Sequence, residues 1–142
     1  MSAQVKFADV EVGTELPAAH YPIDRLTLIK YAGASGDFNT IHWNERIATD
    51  VGLPNVIAHG MLTMATAVRV VTDWVGDPGA VIEYGVRFTR PVVVPNDDSG
   101  VVVEVSAKVT ELLENNQVKV AITAKFEGQT VLGRAQAIVQ LA

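Results

Sequence analysis

The chain has 142 residues, 49% of them hydrophobic and 19% charged, enough to bury one core, and residues 1–142 are expected to form one domain. Eleven basic against sixteen acidic side chains give a formal charge of -5, and no Lys/Arg run occurs, which argues against nucleic acid and anionic membrane as partners. The absence of Cys excludes a disulfide scaffold, a thiolate nucleophile and a Cys-based zinc site.

In chain order, the first stretch, MSAQVKFADVEVG, lacks a cationic flank followed by an apolar core and does not read as a signal peptide. No apolar run approaches the roughly 20 residues of a membrane span, so a soluble, cytoplasmic protein without membrane insertion is expected. Glu11 to Tyr21 predicts a short strand ending at Pro22. Asp24 reads as a helix N-cap, followed by Leu26, Ile29 and Leu28, Ala32 at helical spacing, with Gly33 and Gly36 closing the helix. A loop leads to a short helical turn around Asn44 to Asp50, stopped by Gly52 and Pro54.

Between Gly60 and Val75 only Arg69 and Asp73 are charged. This predicts a buried central helix, stopped by Gly76 and Pro78. Period-two alternation then predicts four strands, built on Ile82 to Phe88, Val101 to Val109, Val118 to Phe126 and Val131 to Val139. Asn115-Asn116 and Glu127-Gly128-Gln129 read as hairpin turns, which makes the last three strands antiparallel neighbours. One apolar helix with a curled antiparallel sheet is an α+β architecture, and the order of elements matches the hot-dog fold. Its open sheet edge predicts a dimer.

Three segments carry candidate chemistry. Ser35 to His42 sets Asp37, Asn39 and His42 within six residues. A carboxyl and an imidazole can exchange protons near neutral pH, and the Asn39 amide can hold a water; equally, Asp37 and Asn39 can serve as Asx-turn residues. Ala58-His59-Gly60-Met61 opens the central helix. The unpaired N–H groups there suit an oxyanion, and Gly60 admits close approach; otherwise Gly60 eases packing and His59 caps the turn. Phe88 to Asp98, with prolines flanking an apolar triplet, reads as an edge strand or rigid connection. Arg87 and Arg90 within and beside it could meet phosphates, but solvation explains them better. No dinucleotide-binding, phosphate-loop or Gly-x-Ser-x-Gly pattern is present. His20, His42 and His59 lack metal spacing, while Met61, Met64, Trp43 and Trp74 read as packing residues.

The run YAGASGDFNTIHWNERIATDVGLPNVIAHGMLTMA resembles the signature of MaoC-like dehydratases, the (R)-specific enoyl-thioester hydratases: Gly-Asp-x-Asn, His three residues on, and later Ala-His-Gly. Thr40 stands where many members carry Pro. RFTRPVVVPNDD is similar to the family's segment after the helix, with Asn96-Asp97 where Gly-Asp is common. The full chain is most similar to the B subunit of actinobacterial (3R)-hydroxyacyl-ACP dehydratases. The resemblance implies reversible dehydration of (3R)-3-hydroxyacyl thioesters carried on ACP or CoA, as in fatty-acid biosynthesis. It also implies Asp37 and His42 as the catalytic pair and Gly60 as backbone oxyanion donor, with no cofactor and no metal. His42 would act at the α-carbon and Asp37 at the hydroxyl, assisted by Asn39; one residue serving both through the departing water is the alternative. The partner would be a second copy or a related hot-dog subunit. A hot-dog acyl thioesterase and a catabolic (R)-specific enoyl-CoA hydratase are the competing activities.

Overall fold

The computed structural model describes residues 3–142; Met1 and Ser2, at the head of the stretch read above for a signal, lie outside them. β1 (Glu15–Ile23) leads into α1 (Arg25–Ser35), α2 (Glu45–Asp50) and the long α3 (Gly60–Val75). β2 (Val81–Phe88), β3 (Val101–Leu112), β4 (Gln117–Phe126), β5 (Gln129–Thr130) and β6 (Leu132–Gln140) follow. The sheet runs β1-β3-β4-β6-β2, with the short β5 on β4, and every pairing is antiparallel. No helix is long and apolar enough to cross a membrane among the described residues. This is the hot-dog arrangement expected from the pattern.

Alternation explains the sheet. Val103, Val105, Ala107 and Val109 of β3, and Val118, Val120, Ile122 and Ala124 of β4, all face inward and are buried. Against them α3 sets Ala67, Val70, Val71 and Val75. Each such side chain withdrawn from water contributes roughly 1.5–3 kcal/mol for the larger aliphatics. Asn115 and Asn116, at φ 59° and 58°, form the tight turn between β3 and β4, and Glu127 and Gly128, at φ 50° and 75°, that between β4 and β5.

Several local expectations need correction. Pro22 does not end β1 but lies within it opposite Val102; β1 is an outer strand, where a missing N–H can face outward without breaking the ladder. Gly33 is inside α1, and Gly36 alone, left-handed at φ 75°, ends it. Leu28 and Ala32 are buried, whereas Leu26 and Ile29 point to solvent, so α1 uses one apolar row and not two. α3 is buried on one side: Met61, Ala65, Arg69 and Asp73 form an exposed row at four-residue spacing. Met61 is therefore not core. In β6 the alternation breaks because Arg134 sits at φ 49° in a bulge against β2, so that Leu132 and Ala135 are both buried. Val93 of the proline-flanked triplet bridges Ile57, so the segment is a rigid connection pinned to the chain before α3.

Asp24 caps α1 as expected, in a reciprocal box with Thr27. The one-sided packing of α1 gives a direct test. Leu28→Ala, at a residue 1% exposed, should cost about 2–5 kcal/mol in denaturant unfolding, while Leu26→Ala, 56% exposed, should stay within about 0.5 kcal/mol. Equal losses would contradict this packing.

Candidate functional site

The loop after α1 is shaped by its own side chains. Asp37 N–H donates to Ser35 Oγ at 3.2 Å, and Asp37 Oδ1 accepts from Asn39 N–H at 3.1 Å. Asn39 Oδ1 accepts from Ile41 N–H at 3.3 Å and starts the short 3-10 turn Thr40–His42. Both Asx-turn readings are thus realised, and they aim the chain so that His42 enters the protein. Trp43, for which the sequence offered no partner, donates its indole N–H to Phe38 O at 3.0 Å and braces the loop.

His42 is buried and held from below. Its Nδ1 lies 2.7 Å from Ile57 O, a carbonyl that can only accept, so Nδ1 carries hydrogen and Nε2 presents a lone pair in the neutral ring. Ile57 is itself fixed: its N–H donates to Ile41 O at 3.2 Å, while Ala58 N–H and Val94 N–H bond across the connection to Val92 O and Val56 O. Arg25 locks the same region, donating from Nε to Val94 O at 2.8 Å and from Nη2 to Asn55 Oδ1 at 2.7 Å. His42 Nε2 then stands 4.0 Å from Asp37 Oδ2, whose side chain is half exposed. That gap lets one water or hydroxyl hydrogen-bond to both groups.

The start of α3 completes the site. Asp37, His42, Gly60, Met61, Phe88 and Leu132 line a mainly apolar cleft of about 410 Å³. None of the described acceptors takes the Gly60 N–H, which is one of the free donors of the first helical turn. A Cβ on Gly60 would lie 3.0 Å from the Phe88 ring, so close packing and an open N–H coincide at this residue. Arg90 also borders the cleft and bonds Gln129 at 2.8 Å; Arg87 lies along a separate concavity on the outer side of β2 and β6.

Of the three histidines, His20 sits on β1 opposite Glu104, away from the site, whereas His59 stacks on His42 with ring centroids 3.8 Å apart. His59 occupies the N-cap position of α3, but its side chain makes no capping bond; its Nε2 lies 3.1 Å from Asp37 O. Asp37, His42 and His59 thus offer three potential metal-binding atoms within 4.8 Å of one another, a cluster that sequence spacing did not suggest. The rings, however, are only 23° from parallel, so their in-plane lone pairs lie side by side and do not converge on one ion as a zinc site requires. The arrangement fits proton transfer better than metal binding.

Burial holds the His59 imidazole below its ordinary pKa of 6.5; its bond to the Asp37 carbonyl opposes this, and His42 adds to it. The unfolded chain therefore takes up the proton first, and stability falls as pH drops below 6.5. The urea midpoint should decline between about pH 7.5 and about pH 5.5, and less steeply in His59→Gln, since only the wild type carries this linkage. An identical slope in both proteins would contradict it.

The MaoC like domain model matches residues 7–127. Over 79 residues, 56% of this chain, the sequence is 39% identical to 3-hydroxyacyl-thioester dehydratase X of Mycobacterium tuberculosis, but covers only 27% of that protein. Against 3-hydroxybutyryl-CoA dehydratase of Methylorubrum extorquens it is 33% identical over 129 residues, covering 89% of this chain and 78% of the relative. A solved structure described as a MaoC-like dehydratase superposes with a TM-score of 0.94 at 41% identity, over 99% of this chain and 44% of that one. The chain thus spans less than half the length of two of the proteins it resembles. With the hot-dog sheet, the helix start and the matched residues all in agreement, the chain belongs to the MaoC-like domain family.

Proposed function

We propose that the protein catalyses reversible syn elimination of water from (3R)-3-hydroxyacyl thioesters, giving trans-2-enoyl thioesters, with residues 1–142 acting as one catalytic unit. The observation that carries this reading is the 4.0 Å placement of His42 Nε2 and Asp37 Oδ2 at an apolar cleft floored by the Gly60 N–H. The names of the relatives, both dehydratases of 3-hydroxyacyl thioesters, support it.

The chemistry follows from what each group offers. Removing a proton α to a thioester puts charge on the carbonyl oxygen, which the Gly60 N–H and the dipole of α3 stabilise. His42 Nε2, with its lone pair free, takes the α-proton. The Cβ–O bond breaks, the electron pair of the Cα–H bond becomes the new double bond, and the Asp37 carboxyl delivers a proton to the departing hydroxyl. Water leaves between the two side chains, where the reverse reaction would activate it. Asn39 Oδ1 shapes the turn that leads to His42, and its amide N–H groups help to hold the water; no step requires a cofactor.

Carrier and acyl length lie outside this reading: ACP and CoA thioesters share the reacting atoms. A thioesterase of this fold would want a carboxylate on the central helix, and α3 offers only Asp73, near its far end. We further propose a dimer in the cytoplasm. β2 is an outer strand with Ile82 and Phe88 exposed, and the exposed row of α3 begins at Met61. A second hot-dog sheet joined at this edge would pair the free backbone groups and cover those side chains. A second copy satisfies this with two equivalent sites. The resemblance to a B subunit favours a related chain, which would supply much of the acyl tunnel.

The reaction is tested with a 2-enoyl thioester. Hydration to the 3R alcohol without thiol release is expected; free thiol would indicate hydrolysis, and a 3S product another stereochemical class. Asp37→Asn and His42→Gln should each lower turnover by at least about 10²-fold with the fold intact. Near-normal activity in either variant would remove that residue from the catalytic pair.

The assembly is tested by size-exclusion mass and activity, for the chain alone and co-expressed with its genomic neighbour. Gain of activity on long acyl chains with the neighbour is the expected result. A homodimer fully active on long substrates and indifferent to the neighbour would refute the mixed assembly, and a monomer would refute the dimer.

A further inference from the structure

His59 opens α3 without serving it. The imidazole is 1% exposed and makes no bond to the helix's first N–H groups. It turns instead toward the loop that carries Asp37, where Nε2–H donates to the Asp37 carbonyl at 3.1 Å. One face lies on the His42 ring, and the Tyr31 ring meets it in a T-shaped contact, with ring centroids 3.8 Å and 4.7 Å away respectively. Nδ1 is buried without a partner, an arrangement that lowers stability compared with an apolar ring of the same shape. Packing alone does not account for this residue.

Asp37 needs an anchor. Its other hydrogen bonds reach only Ser35 and Asn39, each two residues away, and shape the loop without attaching it to the protein body. The Trp43 bond to Phe38 is also local. Among the described residues, the His59 bond, spanning 22 positions in sequence, is the long-range hydrogen bond that holds Asp37. His42 is tied down separately, through Ile57 O. One side chain therefore touches both members of the pair, Asp37 by its main chain and His42 by its ring face.

We propose that His59 is a positioning residue, which sets the separation of Asp37 and His42 through the Nε2–H bond to the Asp37 carbonyl and the stack on His42. It contacts no reacting atom. The inference rests on the dehydration reading above, since only that reading makes the separation matter for rate.

Three substitutions separate the donor from the ring. Gln places an amide N–H close to the Nε2 position, Asn places one close to Nδ1, and Phe keeps the ring and loses the donor. With the 2-enoyl thioester as probe, His59→Phe and His59→Asn should lower kcat by about 10²-fold, the cost of misplacing a catalytic group by an ångström, while KM changes little. His59→Gln should recover most of the loss. Thermal unfolding of each variant accompanies the kinetics, because a residue that merely supports the fold would lower the melting temperature without ranking kcat by the presence of the donor. If the Phe variant does not fold, the Gln and Asn pair makes the same comparison. Wild-type kcat in folded His59→Asn or His59→Phe, or equal impairment in Gln and Asn, would overturn the inference. Asp37→Asn and His42→Gln are assayed alongside. If both are inactive while the His59 variants are normal, the positioning role alone fails; if either is active, the catalytic pair fails and the positioning role with it.

Discussion

The arrangement depends on one packing requirement: the concave side of the sheet must be filled, and the apolar side of α3 fills it. Ala67, Val70, Val71 and Val75 meet the inward rows of β3 and β4. Because these residues recur every three or four positions, burying them fixes the rotation of α3 about its axis as well as its depth. That rotation decides which N–H groups of the first turn face the cleft and where His59 lies. A helix start is always short of acceptors, but it becomes a binding feature only where the fold holds it beside a cavity.

The second requirement is that a loop reach the helix start and remain there. Gly36 turns the chain sharply at the end of α1, and the side chains of Asp37 and Asn39 occupy the backbone N–H groups that follow. The Ile57 carbonyl then fixes the tautomer of His42, and the connection from Val92 to Val94 fixes Ile57. The proline-flanked segment therefore has a role its composition did not announce: it is the backing on which the imidazole rests. Arg25 extends that backing to α1 through Val94 and Asn55. The placement of the His42 ring is thus carried by contacts two steps away.

The cleft wall includes the last strand of the sheet, β2. β2 alternates as a strand should, but Ile82 and Phe88 face solvent, since β2 is the last strand of the sheet. Val81, Tyr84 and Val86 are half-buried against the core, and the Tyr84 hydroxyl donates to Met64 O at 2.8 Å; burial pushes its pKa up to about 12, so it anchors the strand to α3 in its protonated form. An outer strand so anchored, with apolar side chains left over, is suited to join another sheet.

Local pattern alone was enough for the element order, the N-cap at Asp24, the asparagine turn, the central helix from Gly60 to Val75 and the inward rows of β3 and β4. These depend on neighbours within a few positions, and propensity and periodicity report them directly. The signature also singled out Asp37, Asn39, His42 and Gly60 as candidates, though as residue types in order and not as an arrangement. What tertiary structure decided was everything between segments: Pro22 inside an outer strand, Met61 on the cleft and not in the core, Arg134 in a bulge, and His59 as the contact shared by Asp37 and His42. Asp37 and His59 are separated by 22 positions along the chain, and no spacing rule reaches that far. Their contact exists because the sheet buries α3 and the helix start then meets the loop, a long-range consequence of packing that no local sequence window contains.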